Sequence, residues 1–140
     1  MGERVQLSTK TRYGLRALLD IALHADKGPV VLREMEERQG VSKAYLEQLN
    51  LLLQSAGFIR SIRGKKGGFV LTRTPSDIKM YEVVKALERT VSLVDCVNDP
   101  KACSRTDHCA TRKLWQLLTD VIHRELEAIT LQDLMGWQKT

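Results

Sequence analysis

The chain has no cysteine before residue 96, no Cys-x-x-Cys pair, no internal repeat, no low-complexity segment and no apolar run approaching eighteen residues. Without a long apolar run there is no membrane-spanning helix to expect. The segment Met1-Gly2-Glu3-Arg4-Val5-Gln6-Leu7 lacks the apolar centre of a secretory signal, so the expectation is a cytoplasmic protein with no membrane partner. In that compartment thiols stay reduced, and three cysteines cannot all pair within one chain, which leaves a disulfide framework without support. A thiol oxidoreductase or iron–sulfur carrier would use a Cys-x-x-Cys pair and would leave the basic segment described next unexplained. No enzymatic activity is expected.

A further absence is local. No acid occurs from residue 60 to residue 73, where Arg60, Arg63, Lys65, Lys66 and Arg73 fall together. The formal net charge of +5 is uneven: residues 1–75 carry 13 Lys/Arg against 7 Asp/Glu, and residues 76–140 carry 9 against 10. Such a cluster is often only a solvated face, but it is also what a phosphate backbone requires, and its surroundings decide between the two.

At 140 residues with 43% hydrophobic content, the chain is long enough for one domain with a real core, or one small domain with an appended segment. Ser8 or Thr9 can cap a first helix running to about His24, with Leu15, Leu18, Leu19 and Ala22 on one face and Gly28-Pro29 beyond it. Val30-Val31-Leu32 is β-prone. Residues 33–39 read as a short helix stopped by Gly40, and Ser42 caps a third helix to Gln54 or Ser55 with Leu46, Leu49, Leu52 and Leu53 as its buried stripe. Helix, tight glycine turn, helix is the skeleton of a helix-turn-helix. Residues 58–63 and 69–72 read as strands joined by Gly64-Lys65-Lys66-Gly67-Gly68, a hairpin that must lean on the helices because two strands do not stand alone in water.

The expected fold is mainly α with a small β-hairpin: a winged helix-turn-helix DNA-binding domain over residues 1–76, then a linker helix, a cysteine loop and a long C-terminal dimerisation helix over 77–140. The linker helix is marked by Met80, Val83, Val84 and Leu87. The long helix carries Leu114, Leu117, Leu118, Val121, Ile122, Leu126 and Ile129 at three- and four-residue spacing, a stripe that needs a partner and suits a two-fold seam.

In a helix-turn-helix the N-terminal residues of the second helix enter the major groove, so Ser42, Lys43, Tyr45, Leu46 and Gln48 are candidates for contacts to double-stranded DNA. Gln48 is suited to reading adenine and Lys43 to holding a phosphate. Glu47 would repel phosphates unless it accepts from a cytosine amino group. In the wing, Arg60, Arg63, Lys65 and Lys66 supply charge, while Gly67 and its neighbours let the tip approach a duplex. A nucleotide-cradling glycine loop is excluded because this one joins strand to strand.

The three cysteines, Cys96, Cys103 and Cys109, occupy fourteen residues, a grouping that random placement produces on the order of a few per cent of the time. Their C-x6-C-x5-C spacing is too long for the short knuckles of structural zinc sites and suits a loop around a larger group, such as an iron–sulfur cluster. Free thiols without a ligand and a zinc site remain the alternatives. His24, His108 and His123 are the histidines that could supply a fourth ligand, His108 by its adjacency to Cys109.

Residues 7–17, 39–49 and 62–69, taken with the three cysteines, resemble the iron–sulfur cluster regulator (IscR-type) family of winged helix-turn-helix transcription regulators, and the resemblance covers nearly the whole chain. It implies a homodimeric DNA-binding regulator in which the helix after the cysteine loop forms the dimer interface. It also implies that Cys96, Cys103 and Cys109 hold an iron–sulfur cluster, 2Fe–2S in preference to 4Fe–4S, whose state tunes DNA binding. Two departures stand out. Members of this type supply a histidine three residues after the last cysteine, where this chain has Arg112, which has no lone pair to give. Others borrow a carboxylate or histidine from the partner's first helix, but Ser8, Thr9, Lys10, Thr11 and Arg12 offer neither. The fourth ligand is thus unassigned. At the wing tip, Lys65-Lys66 stands where relatives often carry Pro-Gly, which strengthens phosphate attraction more than sequence reading. The same regulator without a cluster, answering to thiol oxidation, a partner protein or a small ligand, is the alternative.

Overall fold

The computed structural model describes residues 7–138; the Met1–Gln6 part of the segment considered for a targeting signal lies outside them. Helix α1 (Thr9–Leu23) is the centre of the fold. Its N-terminus is capped by Ser8, whose hydroxyl accepts from the Thr11 N–H at 3.1 Å. Ser8 also donates through its N–H and its hydroxyl to the Glu88 carboxylate, each at 2.8 Å, which places a negative charge at the positive end of the helix. Burial pushes the Glu88 carboxyl upward, but hydrogen bonds from Thr11 and Ser8 and the charge of Lys10 outweigh it and hold the group below the ordinary carboxylate value.

Helix α2 (Leu32–Gln39) stops at Gly40, which takes the left-handed conformation at φ 65°, and α3 (Lys43–Ser55) begins three residues later behind Ser42. Helices α1, α2 and α3 bury Leu18, Ile21, Met35, Leu46, Leu49 and Leu53 against one another. The stripe of α3 differs from the sequence expectation at one position. Leu52 is exposed, and Asn50 takes its place inside, completing the 46, 49, 50, 53 spacing of one helix face. Asn50 donates toward the Met35 sulfur at 3.6 Å, and its carbonyl oxygen has no partner.

Strands β1 (Ile59–Ile62) and β2 (Gly68–Leu71) pair antiparallel, with Ile59 opposite Leu71 and Ile62 opposite Gly68. The β-prone Val30 segment adds one bridge to this hairpin, exchanging backbone hydrogen bonds with Phe69 at 3.0 and 2.8 Å. The bridge needs glycine beside it: a Cβ on Gly68 would lie 2.6 Å from the Val30 carbonyl oxygen. This contact ties the hairpin to the helices, as a two-stranded element requires.

Helix α4 (Met80–Leu87) buries all four of its expected apolar residues. It crosses α1 so closely at Gly14 that a Cβ there would meet Leu87 Cδ1 at 2.7 Å. The cysteine segment contains only the short helix α5 (Asp95–Asn98) and two 3₁₀ turns, Pro100–Ala102 and Thr106–His108, before the long helix α6 (Ala110–Ala128). The expected stripe of α6 ends inside a break at Ile129-Thr130. A helix that sequence reading did not separate follows, α7 (Leu131–Trp137), opened by a Thr130/Asp133 capping box. The break is held by backbone hydrogen bonds from Met80 to Ile129 at 2.8 Å and from Leu131 to Ile78 at 2.9 Å. Leu131 is fully buried in the same core as Leu18 and Ile78, a burial that contributes about 2 kcal/mol. One core therefore takes residues from both sides of position 76. No helix among the described residues is long and apolar enough to cross a membrane.

The most demanding polar group in the fold is Asp20 of α1, 2% exposed. It accepts from Arg38 Nε at 2.9 Å and Nη2 at 2.8 Å, and from Gln39 Nε2 at 3.0 Å. The same carboxylate raises the Arg38 guanidinium above its ordinary value, chiefly by hydrogen bonding and against a smaller desolvation penalty. Replacing Arg38 by Ala leaves this carboxylate buried with one hydrogen bond from the Gln39 amide and the His24 ring 3.9 Å away, and we expect a loss of about 2–4 kcal/mol in chemical denaturation. A loss within about 0.5 kcal/mol would show that Asp20 is satisfied without Arg38.

Candidate nucleic-acid interface and cysteine loop

The helix-turn-helix is built by side chains that fix α2 and α3 to α1. Beside the Asp20 pairs, Arg16 of α1 donates to the Gln39 side chain at 3.0 Å and to the Gln39 carbonyl at 3.3 Å, and its guanidinium lies 5.0 Å from the Tyr13 ring centroid. These contacts hold the last turn of α2. Across the turn, Glu36 of α2 accepts from the Lys43 N–H at 2.9 Å and Ser42 Oγ accepts from the Tyr45 N–H at 3.2 Å, so two free N–H groups at the start of α3 are satisfied. The direction of α3 is thereby set by four side chains that sequence reading did not single out: Arg16, Asp20, Glu36 and Arg38. Glu36 and Arg38 look like ordinary surface charges in the sequence. Asp20, lying in a helix otherwise apolar on that face, was the available signal.

This framework leaves Ser42, Lys43, Glu47 and Gln48 exposed along the N-terminal half of α3. Tyr45 is half-buried with its ring edge on Tyr13, centroids 6.2 Å apart, so it offers only part of its surface. Leu46, considered for groove contact, is buried in the core instead, because it shares the inward face of α3 with Leu49, Asn50 and Leu53.

In the wing, Arg60, Arg63, Lys65 and Lys66 are exposed, and none of them or Lys43 enters an ion pair among the described residues. Gly67 is buried in the turn, where a Cβ would fall 2.0 Å from the Ile62 carbonyl oxygen; it shapes the tip. Arg73 of the basic cluster is engaged elsewhere, stacked 5.4 Å from the Phe58 ring centroid and paired with Glu82 at 3.4 Å. Within the basic cluster, Arg60, Arg63, Lys65 and Lys66 are therefore left uncompensated, a one-signed wing surface suited to phosphates.

The three thiols share one loop and are all free, Cys103 exposed and Cys96 and Cys109 half-buried. Soft thiolates are the donor set that an iron–sulfur group takes. Their arrangement here is open: among the described residues no three His, Cys, Asp or Glu side chains are placed to hold a metal ion. The candidate His108 belongs to an exposed 3₁₀ turn, and His123 is held by the Val91 carbonyl oxygen. Arg112, at the position of the missing histidine, donates to the Cys96 carbonyl oxygen at 3.1 Å and so links α6 to the short helix of the first cysteine.

Cys109 occupies the N-cap position of α6, with Sγ 3.1 Å from the Thr111 hydroxyl. The thiol is lowered from its ordinary value first by that hydroxyl, then by the Arg112 and Thr111 N–H groups and the charge of Arg105, against a small burial penalty. It is the thiol prepared for ionisation.

Beyond the loop, Leu114, Leu117, Leu118, Val121 and Ile122 of α6 are exposed, while Leu126 and Ile129 at the far end pack on the core. The stripe is thus uncovered over its first three turns, where a second helix would cover it.

Residues 7–136 match the sequence profile of Rrf2, described as iron-dependent transcriptional regulator. The chain is 40% identical over 131 residues to protein rrf2 of Nitratidesulfovibrio vulgaris, covering 94% of this chain and 87% of that protein. It is 39% identical over 135 residues to the HTH-type transcriptional regulator IscR of Photorhabdus laumondii, covering 96% and 82%. Its structure is similar to that of CymR, the global cysteine regulator of B. subtilis, with a TM-score of 0.82 at 33% identity over 97% of this chain and 100% of the other.

Alkylation of Cys109, followed by mass spectrometry, should show a pH–rate midpoint below that of an ordinary thiol, and Thr111→Val should move the midpoint up and slow the reaction at neutral pH. An unshifted midpoint in the variant would remove the hydroxyl as the cause.

Proposed function

The chain belongs to the Rrf2 family of transcriptional regulators, and on that premise we propose that it is a homodimeric regulator whose cysteine loop senses iron–sulfur cluster status or redox state. It is a DNA-binding transcription regulator and not an enzyme. Residues 1–76 are assigned to DNA binding, and residues 77–140 to linkage, sensing and dimerisation, in the cytoplasm where the DNA lies.

The observation that carries the DNA contact is the joining of one fixed helix start to one uncompensated basic wing. Ser42, Lys43, Tyr45 and Gln48 address the major groove, with Tyr45 contributing only its exposed edge. Arg60, Arg63, Lys65 and Lys66 address the phosphates or the adjacent minor groove, on a tip whose shape Gly67 maintains. A partner copy packed on the α6 stripe would present two recognition helices to half-sites about one turn of DNA, ~34 Å, apart.

For the sensory loop, Cys96, Cys103 and Cys109 are the residues that would hold a cluster, 2Fe–2S in preference to 4Fe–4S, and such a group supplies one-electron redox chemistry and sensitivity to its own loss. The exposed loop and its short turns give the chain room to gather three thiols that stand apart, and Arg112 would carry any change at Cys96 into α6. Cys109 supports a second reading, direct thiol oxidation, because the Thr111 hydroxyl and neighbouring N–H groups lower its thiol from the ordinary value without any metal.

Anaerobic purification with optical spectroscopy and iron and sulfide analysis should give a coloured protein, and Cys103→Ala should lose both colour and iron. Colourless, iron-free protein after reconstitution would reject the cluster and leave thiol oxidation. For DNA, the Lys65→Ala, Lys66→Ala double variant should weaken binding to all duplexes and flatten the log–log salt slope by about 0.9 for each phosphate the variant leaves unneutralised. An unaltered slope would remove the wing tip from the interface.

A further inference from the structure

Between α4, the 89–98 segment and α6 lies a cavity of about 220 Å³. Its charged lining is one-signed: Lys85 and Arg89 contribute positive charge, and no Asp or Glu lines the space. Tyr81, Ser92 and Gln116 contribute hydrogen-bonding groups, the Gln116 amide also donating to Asp120 at 3.0 Å outside the lining. Neither Lys85 nor Arg89 enters an ion pair among the described residues.

The walls are held in place. The Tyr81 and His123 rings meet edge-on with centroids 4.9 Å apart, His123 is bonded to the Val91 carbonyl oxygen, and the Leu93 N–H donates to the buried Thr119 hydroxyl at 3.3 Å. These contacts join all three elements around the space. Lys85, 5.8 Å from the Tyr81 ring centroid, and Arg89 stand without an acid in a lining that is polar apart from Val91 and Val97, which selects an anion. A guanidinium matches the edge of a carboxylate with paired hydrogen bonds. The volume admits a molecule of amino-acid or dicarboxylic-acid size. Every element around it leads to a part of the regulator: α4 is packed into the core that carries the recognition helix, the 89–98 segment carries Cys96, and Gln116, Thr119 and His123 share the face of α6 opposite its exposed Leu114, Leu117 and Val121 stripe.

We propose that this cavity is a binding site for a small carboxylate metabolite whose occupancy sets the position of α6 and the Cys96 segment relative to the DNA-binding core. The coupling half of the proposal rests on the reading of the protein as a sensing regulator; the binding half does not. An occupant bridging Arg89 to α6 would favour the conformation in which the cavity is closed, and it can shift DNA affinity only by its preference for that conformation.

The test is a titration of the isotope-labelled full chain, without DNA and at fixed ionic strength, with succinate, glutamate and citrate, using the diamides succinamide and glutaramide as neutral controls. At least one carboxylate should produce saturable amide shifts at Tyr81, Ser92 and Gln116, the neutral controls none, and Lys85→Gln with Arg89→Gln should weaken binding at least tenfold with an unchanged thermal melt. No saturable shift with any of the three probes, or equal affinity in the double variant, overturns the site. Binding that leaves duplex affinity unaltered overturns the coupling. Because the titration omits DNA, its failure is distinct from a failure of the DNA reading, which the wing variants report.

Discussion

One buried carboxylate holds the DNA-binding part of this molecule in register. Asp20 stands on α1 with almost no access to water, and the end of α2 meets it with the Arg38 guanidinium, which pairs with both carboxylate oxygens and balances the charge, and with one hydrogen bond from the Gln39 amide. A buried ion pair adds little net stability, since desolvation offsets most of the attraction; what it does is penalise every packing in which the partners miss. Here the penalty falls on rotations of α2 about α1. Gly40 and Glu36 then pass that orientation to α3, the second helix of the helix-turn-helix. The order of dependence runs from a charge that must be paired, to a helix end, to a turn, to the exposed face of α3.

Much of this was legible in the chain. The caps at Ser8 and Ser42, the stop at Gly40 and the hairpin all follow from local chemistry that acts within a few residues, and the structure has them in those places. What escaped was tertiary in origin. Leu52 and Asn50 could not be assigned by hydrophobicity alone, because the helix face is set by Leu46, Leu49 and Leu53 and position 50 lies on it whatever its polarity. The break before α7 was hidden because Leu126 and Ile129 continue the apolar rhythm of α6. Only the backbone bonds between residues 78–80 and 129–131 show where the chain turns. The signal was present in Thr130 and Asp133, a capping pair inside an apparently continuous stripe.

The candidate site divides in the same way. The wing cations were legible as an acid-free basic stretch, but which of them stay uncompensated was tertiary: Arg73 pairs with Glu82 of α4, while Arg60, Arg63, Lys65 and Lys66 enter no ion pair among the described residues. The cysteine loop is a case where spacing announces a shared purpose without giving an arrangement: three soft donors within fourteen residues, separately placed among short turns. Arg112 is informative because it stands three residues after the last cysteine with a group that cannot ligate and uses its donor on the Cys96 backbone.

The bond between the Met80 N–H and the Ile129 carbonyl, with its companion between Leu131 and Ile78, also gives α6 the mechanics of a lever. The helix has 19 residues, about 28 Å of rigid length. It is pinned to the core at its C-terminal end, and its N-terminal end carries Cys109. A swing of about five degrees at the pin would carry Cys109 through roughly 2–3 Å over a length set by the helical rise. In the opposite direction, an ångström-scale adjustment among the thiols is geared down to a small, forceful rotation beside α4, and the exposed leucines midway along the arm would move a bound second copy by an intermediate amount.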